Sequence, residues 1–422
     1  MKYRIVYLGD IVSLQKGFAF KSKDYQQSGT RIIRVSNLNK NDYSDNNSLF
    51  IDSSKAKQYE KYRLKENDAI ISTVGSWPSN PDSVVGKVSV VNSEISGSLL
   101  NQNAVILRAK NGCIQSYLNY VLQTPDFKNY IIGTAQGSAS QASITLEDIK
   151  KYQLNLPDID YQKKIATVLL SFDNKIDSNT RIIQNLELQA QVIFKSWFVD
   201  FEPFGGVMPD DWMVTTFDSI CDFKNGYAFK SKELLNNPDS ECYEVFKQGH
   251  ILKGGGFNAF GTKSWFPKNK CEKLAKYVLK RKDILMAMTD MKGNVAILGN
   301  TAILPEDNRY ILNQRVGLLR PKAETGISPA YIYLLTNSDN FLFDLRSRAN
   351  SGVQVNLSAD AIRNSEVVLA PKDICRKISG IIDPLIEIIL DNQIENQRLA
   401  ALRDTLLPKL MNGEIDVSQV KI

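Results

Sequence analysis

Two hydrophobic textures follow one another along this chain, and then both occur a second time. Through the first ~150 residues, short apolar runs are separated by Gly, Asn and Pro: Ala69-Ile70-Ile71-Ser72, Val88-Ser89-Val90-Val91 and Ala104-Val105-Ile106-Leu107. Runs of this length between turn residues predict strands of a twisted sheet. The texture returns as Ile284-Leu285-Met286-Ala287 and Val295-Ala296-Ile297-Leu298. Each set is followed by a patch of helical spacing, Ser116–Val121 and Pro329–Leu335.

From Tyr161 to Phe198 there is neither Gly nor Pro, and Phe172, Ile176, Asn179, Ile183, Leu186, Ala190, Ile193 and Trp197 are spaced alternately four and three residues apart. That spacing predicts a coiled-coil seam on a helix of about 40 residues, roughly 60 Å long. A second seam, from about Asp373 to Leu407, runs through Leu385, Ile389, Asn392, Asn396, Leu399, Leu402 and Leu406 to Leu410, with a phase shift near Leu402. Pro384 is expected to start or kink this helix and Pro408 to end it. Asn179 and Asn392 hold the same seam slot at an offset of 213. A polar residue there lowers stability but fixes register and partner. Antiparallel pairing would put one sheet domain at each end of a helical bar; in the plainer alternative each helix packs on its own domain.

The duplication extends to short motifs. Gly17-Phe18-Ala19-Phe20-Lys21-Ser22-Lys23 recurs as Gly226-Tyr227-Ala228-Phe229-Lys230-Ser231-Lys232, an offset of 209. Leu64-Lys65 with Asp68 recurs as Leu279-Lys280 with Asp283, Leu100-Asn101-Gln102 with Arg108 as Leu312-Asn313-Gln314 with Arg320, and Gln141 with Ile144 and Ile149 as Gln354 with Leu357 and Ile362. Four ordered matches near one offset imply that the whole chain is two copies of one unit.

Composition narrows the chemistry. The 422 residues carry 52 Lys plus Arg against 46 Asp plus Glu, a net charge of +6, which permits a nucleic-acid partner without making the chain a polycation. A single histidine, His250, excludes a multi-His metal site. Five cysteines without a CxxC pair read as reduced thiols of a cytoplasmic protein. The opening MKYRIVYLGD has no apolar signal region, and no apolar run reaches the ~18 residues of a membrane span.

On these residues the chain resembles the specificity (S) subunit of type I restriction-modification systems. The resemblance rests on the repeated opening Leu8-Gly9-Asp10-Ile11…Gly17-Phe18-Ala19-Phe20, on the repeated ending Gly137…Gln141…Ile144…Leu156-Pro157, and on the helix Gln162-Lys163-Lys164-Ile165…Phe172-Asp173…Asn179, echoed by Arg376-Lys377-Ile378…Asn392. It implies an α+β fold with two pseudo-symmetric target recognition domains, 1–157 and 205–371, and two long antiparallel coiled-coil spacers, 158–204 and 372–422. Each domain would read one half of a bipartite duplex DNA target. The spacers would bind two modification (methyltransferase) subunits, to which restriction (translocase-nuclease) subunits join. The chain itself would be non-catalytic and hold no metal, with S-adenosylmethionine, ATP and Mg in its partners. The helix-pairing residues would be Phe172, Ile176, Asn179, Ile183, Leu186 and Ile193 with Leu385, Ile389, Asn392, Leu399 and Leu406. The first spacer's aromatic end, Trp197–Phe201, has no second copy, so unequal contacts with the two partners are expected.

A search for catalysis gives the same answer. Asn80-Pro81-Asp82 and Asn237-Pro238-Asp239 lack the second Pro and the aromatic that an amino-methyltransferase needs, and Pro157-Asp158-Ile159-Asp160-Tyr161-Gln162 has Gln where a nuclease has Lys. Gly254-Gly255-Gly256 with Ala259 lacks the helix of a dinucleotide fingerprint, and no Walker-type loop occurs. Two rival readings are a scaffold that binds protein partners through its helices and an enzyme built on His250 with an acid.

For DNA, the turns Lys21-Ser22-Lys23 and Lys230-Ser231-Lys232 supply ammonium and hydroxyl donors suited to phosphates, although they could equally be solvated loops over aromatic cores. Ser76 and Lys87 in the first half, and Lys292 and Asn294 in the second, lie on loops that differ between halves, where half-site specificity should reside. Gln141 and Gln354 are kept in both and suit positioning. Arg346 and Arg348 have no first-half counterparts and are candidates for second-half readout.

Overall fold

The structure, a computed structural model, describes residues 3–38, 43, 48–77, 84–138, 141–236, 238, 241–291, 295–351 and 354–421. The chain forms two compact units, one of residues 1–174 with 400–422 and the other of residues 175–399.

Among the described residues each unit contains the same four small sheets. In the first unit, Val12–Lys16, Ala104–Ala109, Ala69–Ser72 and Val88–Val90 form an antiparallel sheet in that order, and in the second Cys221–Asn225, Val316–Pro321, Ile284–Ala287 and Thr301–Ile303 do the same. The central strands are buried along their length because both faces are covered, so they read as continuous apolar runs. A mixed sheet stands beside each. Thr30–Ile33 runs antiparallel to Leu49–Ile51 and parallel to Leu99–Leu100, as Cys242–Phe246 does with Trp265–Pro267 and Tyr310–Leu312. A two-stranded ribbon joins Tyr3–Tyr7 to Gln153–Pro157, or Met213–Thr216 to Glu366–Leu369. The fourth sheet joins Val74–Gly75, Ala142–Ser143 and Gln136–Gly137, or Thr289–Met291, Gln354–Asn356 and Asn350–Ser351.

Val295–Leu298 is not a strand. Asp290 accepts hydrogen bonds from the backbone N–H groups of Ile297 and Leu298 through one carboxylate oxygen, at 2.7 and 3.3 Å, and the segment turns there. The strand forms one turn later, at Thr301–Ile303.

The long helices span Ile159–Phe198 and Lys372–Met411, 40 residues each, and they pack together antiparallel. Within the first unit the start of the first helix meets the end of the second. Tyr161, Ile165 and Leu169 share a core with Leu407, Leu410 and Met411, and Arg403 pairs with Asp173, which also accepts from the Tyr120 hydroxyl. Within the second unit the rest of the first helix packs with the start of the second: Ala190, Phe194 and Phe198 share a core with Ile378, Ile382, Ile386, Ile389 and Leu390. Helix-on-helix and helix-on-domain packing therefore occur together, and the two sequence alternatives are not exclusive. The fully buried Asn179 donates to Glu395 (2.7 Å) and Asn396 (3.0 Å), while Asn392 donates back to Ile388 within its own helix.

Three helix details differ from expectation. The second helix starts at Lys372 and runs through Pro384, which faces Gly380 four residues earlier, where no side chain adds to the ring's crowding. It also passes Pro408 and stops in a Schellman turn: Gly413 (φ +74°) donates to Leu410 and Glu414 donates to Lys409. At the phase shift Leu402 is exposed and Arg403, paired with Asp173, occupies the buried slot. The aromatic end of the first helix is internal packing. Phe198 lies 5.3 Å from Trp212 and 4.9 Å from Tyr331, ring to ring.

Candidate nucleic-acid interface

The motifs shared by both halves turn out to touch one another. A Cβ on Gly17 would sit 2.0 Å from the Asn101 carbonyl oxygen, and one on Gly226 would sit 2.0 Å from that of Asn313. Only glycine lets the Phe-Lys-Ser-Lys turn cross so close to the Asn-Gln turn. Asp68 takes Arg108 through Nε (2.7 Å) and Nη2 (2.6 Å) and caps the Lys65 N–H (2.8 Å); Asp283 takes Arg320 and Lys280 in the same way. These identities are scaffold.

What the scaffold presents is polar. Lys21, Ser22 and Lys23, with Lys230, Ser231 and Lys232, are exposed on matching 3-10 turns. Their aromatic neighbours face inward, Phe18 against Tyr59 (4.8 Å) and Tyr227 against Tyr277 (5.6 Å). Lys224 and Lys276 lie over the Tyr277 ring, and burial together with the charges of Lys276 and Arg320 holds the Lys224 ammonium below its usual pKa.

The Asn-Gln turn links this turn to the fourth sheet. Gly17 donates to Ala104 and Thr73 to Asn103; in the second half Gln314 donates to Tyr227 and Met288 to Arg315. Both loops thus emerge at one end of the four-stranded sheet. The exposed Gln102, Gln314 and Arg315 sit at that end, and their side chains make no hydrogen bond among the described residues. In the sequence Gln102 and Gln314 serve only as repeat markers and Arg315 is passed over; their place in or beside a repeated turn was the available signal.

The other predicted positions vary. Ser76 is buried at a bridge to Val84, beside the sheet that carries Ala142, while Gln141 is exposed with its amide unbonded among the described residues. Lys87 is half-buried. Gln354 lies opposite Met291 in its sheet, and Lys292 and Asn294 fall outside the described residues. Arg346 donates to the Leu298 carbonyl (2.9 Å) and Asn300 (3.3 Å), and Arg348 pairs with Asp344 (2.9 Å), so both guanidiniums already serve the fold. In the helix-pairing set, Asn179 and Ile389 are buried. Phe172, Ile176, Ile183, Leu186, Ile193, Leu385, Asn392, Leu399 and Leu406 are half-buried.

His250 is fully buried. Its Nδ1 accepts from the Lys247 N–H (3.1 Å) and its Nε2 lies 3.2 Å from Glu244. Asn37 does the same for the Arg34 N–H (3.2 Å) in the first half, so His250 caps a turn. Burial alone would raise the Glu244 carboxyl; the His250 hydrogen bond and the Arg309 charge hold it below the usual range. Burial pushes the thiols of Cys113 and Cys375 up, to about 12 and about 11. Among the described residues, no three His, Cys, Asp or Glu side chains gather as a metal site, and no helix is long and apolar enough to cross a membrane.

The family described as Type I restriction modification DNA specificity domain matches residues 2–188 and again 209–402. The chain is 25% identical over 359 residues to the type I restriction enzyme MjaIX specificity subunit of Methanocaldococcus jannaschii, covering 80% of this chain and 76% of the relative. It is 24% identical over 442 residues to the HindI specificity subunit of Haemophilus influenzae, covering 90% and 94%. A crystal structure of the type I S subunit from M. genitalium aligns with a TM-score of 0.59 at 17% identity, over 97% of this chain and 96% of that one.

Proposed function

Given that the chain belongs to the type I restriction-modification DNA specificity family, we propose that its two halves each read one half of a bipartite duplex target through the end of the sheet where the Lys-Ser-Lys, Asn-Gln and fourth-sheet loops emerge. It is the DNA specificity subunit of such a system and is itself non-catalytic; cofactors belong to the modification and restriction subunits. The observation that carries the reading is the repeated convergence of those three loops on one shared scaffold: the Lys-Ser-Lys and Asn-Gln residues recur, while Asn103 stands where the second half has Arg315 and the fourth-sheet loops differ.

In this reading residues 1–157 and 205–371 are the recognition domains, and 158–204 and 372–422 are spacers that dock two modification subunits in the cytoplasm. Lys21, Lys23, Lys230 and Lys232 hold phosphates and set register. Gln102, Gln141, Gln314 and Gln354 position the bases in both halves, and Arg315 reads the second half-site. Exchanging residues 206–370 for those of a relative, in the assembled complex, should change one half of the methylated motif and leave the other intact. A change in both halves, or in neither, would overturn it. Inserting four residues near Asn185, about one helical turn, should lengthen the gap between unchanged half-sites.

A further inference from the structure

Phe260 is 82% exposed, yet the turn that presents it is tied down on every side. Asn258 donates from its backbone to the His250 carbonyl (2.9 Å) and from its side chain to the Gly249 carbonyl (2.8 Å), and it accepts from the Phe260 N–H (3.0 Å). Gly261 lies flat on the His250 ring, where a Cβ would come within 2.8 Å. A large apolar ring held in water by a fixed turn loses the hydrophobic gain of burial unless something covers it.

The turn is joined to the loops proposed to meet DNA. Gln248, two residues before His250, donates to the Thr289 carbonyl at the start of the strand that carries Met291. Asn313 donates to Phe246, just ahead of this turn, and Met288 donates to Arg315. The turn that carries Phe260 is therefore joined by hydrogen bonds to the loops that carry Gln314, Arg315 and Gln354. Its segment, Leu252-Lys253-Gly254-Gly255-Gly256-Phe257-Asn258-Ala259-Phe260, stands where the first half has Asn39-Lys40-Asn41-Asp42-Tyr43, and the two differ in sequence.

We propose that Phe260 is a specificity-determining residue of the second half, making an apolar contact to the bases of its half-site, with the buried His250 turn as its mount. The inference rests on the reading given above. Apolar base contacts come from two sources, the methyl group of thymine and the face of an opened base step.

The test uses the complex of this chain with its modification subunits and the half-sites defined by wild-type methylation. Phe260→Ala should leave the melting temperature unchanged, since the ring packs on little. It should weaken binding by about tenfold, the scale of one lost base contact, and relax one position of the second half-site only. Replacing each thymine of that half-site with deoxyuridine then separates the sources. A loss for the wild type that disappears in the variant identifies the methyl group; no loss, with specificity still relaxed, identifies the base step. Unchanged affinity and motif in Phe260→Ala, alongside weaker and less salt-dependent binding by a Lys230→Ala, Lys232→Ala double variant, would overturn this inference and leave the DNA reading standing. If the lysine variant also bound unchanged, the reading itself would fall.

Discussion

The two recognition domains share a frame and differ in how each is fastened to its helices. At Leu64-Lys65-Glu66-Asn67-Asp68 the first half turns through Asn67 at φ +67°; at Leu279-Lys280-Arg281-Lys282-Asp283 the second turns through Lys282 at φ +68°. Asparagine tolerates that left-handed backbone far better than lysine. The second half accepts the less suited residue because Lys282 and Arg281 both reach the second long helix, Arg281 bonding Glu387 (2.8 Å) and Asp391 (2.7 Å) and Lys282 bonding Glu387. The first half has Glu66 in the place of Arg281 and ties its helices through Tyr120, Asp173 and Arg403 instead. Duplicated domains can thus keep the residues that build the frame while the fastenings diverge, because a fastening needs only some ionic partner within reach.

The comparison can be broken in four ways. The largest effect should come from Gly17→Val and Gly226→Val. Overpacking usually destabilises by about 1–3 kcal/mol, and here the obstacle is backbone at 2.0 Å, so thermal melts should show a loss at or above that range in both variants alike. A large difference between them would mean the frames are not equivalent. Asp68→Ala and Asp283→Ala strand Arg108 and Arg320 and should each cost about 2 kcal/mol by denaturant titration, discounted because the arginines are part-exposed. Arg281→Ala should destabilise by about 1 kcal/mol at low salt and by little at high salt, whereas Glu66→Ala should do neither.

The smallest effect has the opposite sign. Burial holds the Glu187 carboxyl above its usual pKa, against the weak donation of the Tyr333 hydroxyl at 3.4 Å. A group whose folded pKa is raised binds its proton more tightly when folded, so its stabilising contribution is lost as pH rises through that pKa. Glu187→Gln should therefore melt higher than the wild type at pH 7–8, and the advantage should vanish below the ordinary carboxylate range. The first half offers no such gain, since the counterpart of Glu187 at the offset of 213 that relates Asn179 to Asn392 is Ala400, which has no carboxyl to titrate.

The sequence made the frame legible because frame residues are under backbone constraint and repeat together: Gly17 with Asn101, Asp68 with Arg108, and the strands at Ala69 and Ile284. The long helices were legible from spacing, as was Asn179. The local exceptions were not. Arg403 in a leucine slot depends on Asp173 across the helix pair, and the turn at Val295–Leu298 depends on a carboxylate five or more residues upstream. Each is decided by a partner that a local pattern does not contain. Of the proposed interface, the lysine turns were visible as repeats. Gln102, Gln314 and Arg315 gained meaning only from the loops they join, and the carbonyl and carboxylate partners of Arg346 and Arg348 lie in no sequence pattern.

The first unit is assembled from residues 1–174 and 400–422, and this has a consequence in time. Leu407, Leu410, Met411 and Val417 complete the core that Tyr161, Ile165 and Leu169 begin. At ~5–20 residues per second, synthesis of the intervening stretch leaves that face of the first long helix uncovered for roughly 10–45 seconds on every ribosome. In the second unit Phe194 and Phe198 also await Ile378 to Leu390, but they meet Trp212 and Tyr331 before those residues are made. A nascent chain is therefore most exposed to aggregation, and to pairing with a neighbouring nascent copy, through the half that is translated first.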